Sequence, residues 1–141
     1  MDENEVILKL CSHLERAGYR ILERRRTTKR GTDVVAKETK SGRLLRVEAK
    51  GGTSSRVGSA RYGKPYTQSQ VFDRVAKGVF TTLQLRFQSQ NGKVCDVALA
   101  VPDEKWFRFY LEPLGSLLAS VGIDIFLVGP EGHVDHLADQ R

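Results

Sequence analysis

Asp33, Glu48 and Lys50 are the residues of this 141-residue chain whose types and spacing best suit chemistry. They lie in two short segments, Gly31-Thr32-Asp33-Val34-Val35-Ala36 and Arg46-Val47-Glu48-Ala49-Lys50-Gly51, each of which reads as a strand. Between them, Glu38-Thr39-Lys40-Ser41-Gly42 reads as a hairpin turn. Side chains alternate along a strand, so Glu48 and Lys50 share one face. A hairpin loop of even length around residues 39–42 puts Asp33 on that same face, opposite Glu48 or Lys50. Two carboxylates and an ammonium then converge at one edge of a small sheet. Mg²⁺ is a hard ion held by one or two carboxylates, with water and substrate phosphate in its other positions. It acidifies a bound water and stabilises charge growing on a phosphodiester, while a lysine beside it orients or deprotonates that water. The E-x-K triplet alone also fits a plain cross-strand ion pair, worth only ~0.2–1 kcal/mol. The Gly-Thr-Asp-Val-Val segment upstream turns the reading toward a metal site and phosphodiester hydrolysis.

These residues resemble a known family. Asp33 followed by Glu48-Ala49-Lys50 is similar to the signature of the PD-(D/E)xK, or restriction-endonuclease-like, nuclease superfamily, with Thr32 where the family usually has proline. Residues 3–51 match, in order, the elements of the archaeal Holliday-junction resolvase branch. These are a helix, a Gly-aromatic turn, a strand, a Gly-x-Asp strand and a (V/I)-E-x-K strand. The resemblance implies an αβββαβ core with a mixed central sheet flanked by helices. It also implies an endonuclease that hydrolyses DNA with Mg²⁺ or Mn²⁺, acting on branched DNA like the resolvases or in restriction or repair, and working as a homodimer. It assigns catalysis to Asp33, Glu48 and Lys50, and metal binding to Asp33, Glu48 and the Ala49 carbonyl.

The elements needed to position those groups follow from periodicity. Val6, Ile7, Leu10, Leu14 and Ala17 recur at helical spacing over residues 3–17, and Gly18 stops the helix. Strands are expected at 19–26, 31–37 and 43–50, then a Gly/Ser/Arg loop over 51–66, longer than a connection needs. Residues 67–88 form the longest helix, with Val71, Phe72, Val75, Val79, Thr82 and Leu83 on one side. Residues 94–101 read as a buried central strand, 103–121 as a helix interrupted at Pro113, and 123–128 as a last core strand. The sum is a single α/β domain over 1–141.

Helix phase nominates two further site residues. At ~100° per residue, Glu3 points along the stripe of Ile7, Leu10 and Leu14, so it can reach the sheet edge as an accessory metal ligand, like the N-terminal helix glutamate of the resolvases. Acidic residues at a helix N-terminus also suit the helix dipole. Gln68 lies on the Phe72 stripe, and Gln68-x-x-x-Phe72 resembles a Gln-x-x-x-Tyr element that places glutamine beside the active site in some family branches. His133 and His136 read as surface residues on opposite sides of a short strand. The aromatics of Trp106-Phe107-Arg108-Phe109-Tyr110 read as core packing rather than base-stacking groups.

Charge is unevenly placed. Residues 1–86 hold 19 Lys+Arg against 9 Asp+Glu, a net of +10, and residues 87–141 hold 4 against 8, a net of −4. Arg24, Arg25, Arg26, Lys29 and Arg30 lead into Asp33, and Arg56, Arg61 and Lys64 follow Lys50, so a polyanion at the metal meets cations on both approaches. Arg26, Lys29, Arg30, Arg56, Arg61 and Lys64 are the expected DNA contacts. No apolar run approaches ~20 residues and the acidic N-terminus is no signal peptide, so a cytoplasmic protein without a membrane partner is expected. Cys11 and Cys95 are expected as buried thiols. A non-catalytic nucleic-acid-binding module on the same fold, and an interaction domain that binds no nucleic acid, are the competing readings. The complete Asp33/Glu48/Lys50 set argues against the first, and the basic half against the second.

Overall fold

The computed structural model describes residues 1–25, 32–53, 63–89 and 95–137. Six strands form one mixed sheet in chain order: β1 (Tyr19–Arg24), β2 (Val34–Glu38), β3 (Leu44–Ala49), β4 (Cys95–Pro102), β5 (Ile123–Val128) and β6 (Val134–His136). The first three form an antiparallel meander, β3, β4 and β5 are parallel, and β6 returns antiparallel at the far edge. Helix α1 (Glu3–Arg16) precedes the meander, and α2 (Gln68–Ser89) is the crossover from β3 to β4. The β4–β5 crossover is α3 (Lys105–Leu111), a single 3₁₀ turn holding Pro113, and α4 (Gly115–Ser120). Proline cannot supply the amide that a continuous helix would need there.

Strand alternation divides the core into two layers. Val34, Ala36, Leu45, Val47, Ala49, Ala98 and Ala100 point toward α1 and meet Val6, Ile7, Leu10, Cys11 and Leu14. The four alanines on that side keep the sheet surface shallow, which suits close helix packing. Val97, Leu99, Val101, Ile123, Ile125 and Leu127 point the other way, against α2, α3 and α4. Strand β4, flanked on both edges, is buried along nearly its whole length, as its apolar run requires. Cys11 and Cys95 are buried and unpaired. Among the described residues, no helix is long and apolar enough to cross a membrane.

The β2–β3 hairpin closes through four residues. Glu38 N–H donates to the Arg43 carbonyl at 2.9 Å, and Gly42 takes the positive φ of 73° that ends the loop. An even loop fixes the register: Val34 faces Val47, Val35 faces Arg46 and Ala36 faces Leu45. Carried one step on, it brings Asp33 opposite Glu48.

Two helical expectations are corrected. On α2 the buried stripe is Val71, Val75, Gly78 and Thr82, whereas Phe72 and Leu83 are exposed. Gly78 lets the helix approach the sheet closely, since a Cβ there would lie 2.8 Å from the Leu99 side chain. The helix is therefore rotated away from the phase its large apolar residues suggest. Of the aromatics at 106–110, only Phe107 is fully buried, and Phe109 is exposed.

Candidate active site

Asp33 stands one position before β2, although the strand expected at 31–37 included it. Its Oδ2 accepts a 2.8 Å hydrogen bond from the Ala49 amide, so the carboxylate takes over where the β2–β3 ladder stops. Glu48 and Lys50 follow on the same face of β3. Lys50 Nζ lies 3.4 Å from Glu48 Oε1, and its stem passes beneath Gly78 of α2. Asp33 and Glu48 are only 8% and 9% exposed, unusually low for carboxylates.

Glu3 arrives from the opposite helix layer. The α1 N-terminus is fixed by Asp2 and Glu5, each accepting the other's backbone amide in a capping box. Glu5 is thereby held outward and Glu3 is left facing the end of β3. Gly51, directly after Lys50, makes the approach possible. A Cβ at that position would run into the Glu3 amide nitrogen and sit 2.7 Å from the Asp2 carbonyl carbon. Gly52 then donates to the Met1 carbonyl at 2.8 Å. The glycine pair that looks like the start of a loop is the seat of α1.

The carboxyls repel one another in a poorly hydrated place, and their acidities record it. Burial first, then the Asp33 charge, pushes Glu48 up to about 7, against the pull of Lys50. Burial and then Asp33 likewise push Glu3 up to about 7, opposed by Lys50 and Arg74. Burial raises Asp33 too, while the Ala49 amide, Lys50 and a side-chain hydrogen bond with Glu48 pull it back. Three carboxyls around one ammonium leave an excess of negative charge that a divalent cation would neutralise. The fit to Mg²⁺ or Mn²⁺ rests on that deficit and on the all-oxygen donor set.

Glu48 ionises near 7 in the fold but near its ordinary value of 4.5 when unfolded. The folded state then holds the extra proton between those values, and stability falls as pH rises through that window. Glu48→Gln removes this cost. At pH about 8 and without metal it is expected to stabilise by on the order of 1–3 kcal/mol, raising Tm by roughly 3–8 °C. The gain should vanish at pH about 4. Thermal melts across pH check this, and a gain independent of pH would contradict it.

The other nominated residues are distributed differently. Gln68 is exposed, and its amide donates to the Tyr110 hydroxyl at 3.3 Å rather than into the carboxylate cluster. The rotated phase of α2 accounts for that. Lys64 is exposed. Arg26, Lys29, Arg30, Arg56 and Arg61 lie outside the described residues. Arg25 runs beside the site, its amide donating to the Asp33 carbonyl at 2.8 Å. Sequence reasoning missed Arg74, whose guanidinium lies 5.0 Å over the Tyr66 ring and whose charge acts on Glu3. Its position, one turn before the buried Gly78, was the available signal.

A second cluster, Asp103, His133 and Asp135, brings its ligand atoms within 4.8 Å of one another. Arg108 already occupies it, donating to Asp103 and, at 2.9 Å, to Asp135 Oδ2. That hydrogen bond holds the Asp103 carboxyl below its ordinary value. The group ties α3 to β6 as an ion-pair network, and a divalent ion would have to displace the guanidinium. His136 instead contacts Asp124 at 3.1 Å.

No family model matches this chain, and no curated protein and no solved structure matches it either.

Proposed function

We propose that this chain is a metal-dependent DNA endonuclease with a restriction-endonuclease-like core, resembling the resolvase branch of the PD-(D/E)xK nucleases. The observation that carries the reading is the meeting of Glu3, Asp33, Glu48 and Lys50 at the end of β3, three carboxyls from three elements around one ammonium. A structural ion pair needs one carboxylate. Three, two of them held at about 7, make a costly arrangement unless a cation relieves it.

Glu3, Asp33, Glu48 and the Ala49 carbonyl would hold Mg²⁺ or Mn²⁺, which when bound supplies an acidified water and neutralises charge on the phosphodiester. The Ala49 amide fixes the Asp33 carboxylate, so no rotamer has to be frozen when substrate arrives. The Lys50 ammonium, paired to Glu48, is placed to orient the attacking water or to steady the growing phosphate charge. Arg25, Lys64 and Arg74, with the +10 charge of residues 1–86, supply cations for the backbone of a nucleic acid.

Calorimetric titration with Mn²⁺ tests the site without any DNA. Ions need the carboxylates ionised, so affinity is expected to rise as pH passes through about 7 and binding to release protons. Asp33→Ala is expected to lose that binding. Equal Mn²⁺ affinity in the two proteins, or affinity flat from acid to neutral pH, would count against the reading.

A further inference from the structure

Arg74 stands at the mouth of the carboxyl cluster without pairing to it. Helix α2 starts beyond the carboxyl end of β3 and runs back along the sheet to the start of β4. Its Gly78 rests on the Lys50 stem, so Arg74, one turn earlier, lies roughly 5–6 Å further toward the open end of the site. Burial raises the Glu3 carboxyl, and the Arg74 charge works against that, after the charge of Lys50. The guanidinium lies 5.0 Å over the Tyr66 ring, and both side chains are half-buried. Tyr66 is in turn tied to the exit of β3, its amide donating to the Gly52 carbonyl at 2.8 Å. Among the described residues Arg74 makes no ion pair and no hydrogen bond. Its neighbour Asp73 is exposed, and the first turn of α2 holds no acidic residue. An arginine beside three carboxyls would ordinarily fork onto one of them. Here the ring holds the guanidinium plane and leaves its N–H donors for another acceptor.

We propose that Arg74, braced by Tyr66, grips the substrate phosphate beside the metal ion. This role rests on the nuclease reading of the site and adds a contact from the helix side to those of the ion and Lys50. A guanidinium is planar and matches two non-bridging phosphate oxygens at once, which the Lys50 ammonium cannot do. During hydrolysis a water oxygen bonds to phosphorus, the bond to one ester oxygen breaks, and a water proton ends on that oxygen. Arg74 stays protonated throughout and balances the charge gathering on the oxygens it holds. A fork onto Glu3 would instead have tied up a candidate metal ligand. The stack also closes one face of Tyr66 to bases, so this contact reads the backbone and not the sequence. Lys64 is exposed and Arg25 pairs with Glu23 at 3.5 Å, so neither is prepared in the same way.

Calorimetric titration with inorganic phosphate, with and without Mg²⁺ and with no DNA present, tests the grip apart from cleavage. Arg74→Gln is expected to weaken phosphate binding by about 10-fold or more, and Arg74→Lys, which keeps the charge without the fork, to recover only part of it. Tyr66→Leu should also weaken it, and Tyr66→Phe, which keeps the ring, should restore what Tyr66→Leu loses. In single-turnover cleavage Arg74→Gln should lower the rate by roughly 10²–10³-fold with DNA affinity little changed. Circular dichroism melts identify any variant that has failed to fold, and Arg74→Lys carries the test if Arg74→Gln does so. Phosphate binding that depends on Arg74, in a wild type that cuts no DNA, would uphold the phosphate site and refute the nuclease reading alone. Equal phosphate affinity in wild type and Arg74→Gln, or a wild type that takes up no phosphate, would overturn the proposal. So would an undiminished cleavage rate in Arg74→Gln.

Discussion

Asp33→Ala is expected to lower DNA cleavage by roughly 10³-fold or more, and Lys50→Ala by roughly 10²–10³-fold, with DNA affinity nearly unchanged. Asp33 bridges the two halves of the site. It reaches across to the Ala49 amide, contacts Glu48 and adds its charge to the burial that raises Glu3. On the proposed reading, removing it would cost a metal ligand and slacken the geometry of the rest. In the proposed reaction Lys50 would act on the attacking water and the growing phosphate charge, so its loss would fall on the transition state. Affinity for DNA would be spread over many phosphate contacts and so be insensitive to either group. Single-turnover cleavage and binding, measured on the same preparations, separate the two effects. Equal cleavage by wild type and Asp33→Ala would assign any observed activity to a contaminant.

Gly51→Ala should produce the largest structural effect of any single methyl group added near the site. The new carbon meets backbone atoms of Asp2 and Glu3, which no rotamer change can move aside. Helix α1 must shift, at a cost of about 1–3 kcal/mol, and Glu3 leaves the site with it. Gly52→Ala is the matched control. Its added carbon meets only the carboxylate end of Glu104, a flexible side chain that can swing away. Lower Tm and weaker Mn²⁺ binding are expected for the first variant and little change for the second. The same small effect from both would mean that the Glu3–β3 approach is not tight.

Much of this arrangement could be read from residue types and spacing, because it depends on parity and phase. Four residues in the hairpin loop settle which face Asp33 shares, and the angle from Ile7 to Glu3 settles where that carboxylate points. Helix α2 was less legible for a physical reason. It is apolar on two flanks, so its large residues do not mark the side that meets the sheet. Gly78 and Thr82, weak signals in sequence, are buried there, while Phe72 and Phe80 face outward. The expectation for Gln68 failed with that phase, and Arg74 was overlooked through it. Gly51 was illegible for another reason. Its role is to leave space for a backbone 48 positions earlier in the chain, a long-range fact that local composition does not carry.

A cleavage assay tests the proposed nuclease activity most directly. The purified 141-residue chain is incubated with linear, branched and single-stranded DNA, in Mg²⁺, in Mn²⁺ and with a chelator. Internal cuts in DNA are expected that need the divalent ion, strengthen as pH rises through about 7, and disappear with Asp33→Ala. A folded, Mn²⁺-binding protein that cuts none of the three substrates with either ion would contradict it.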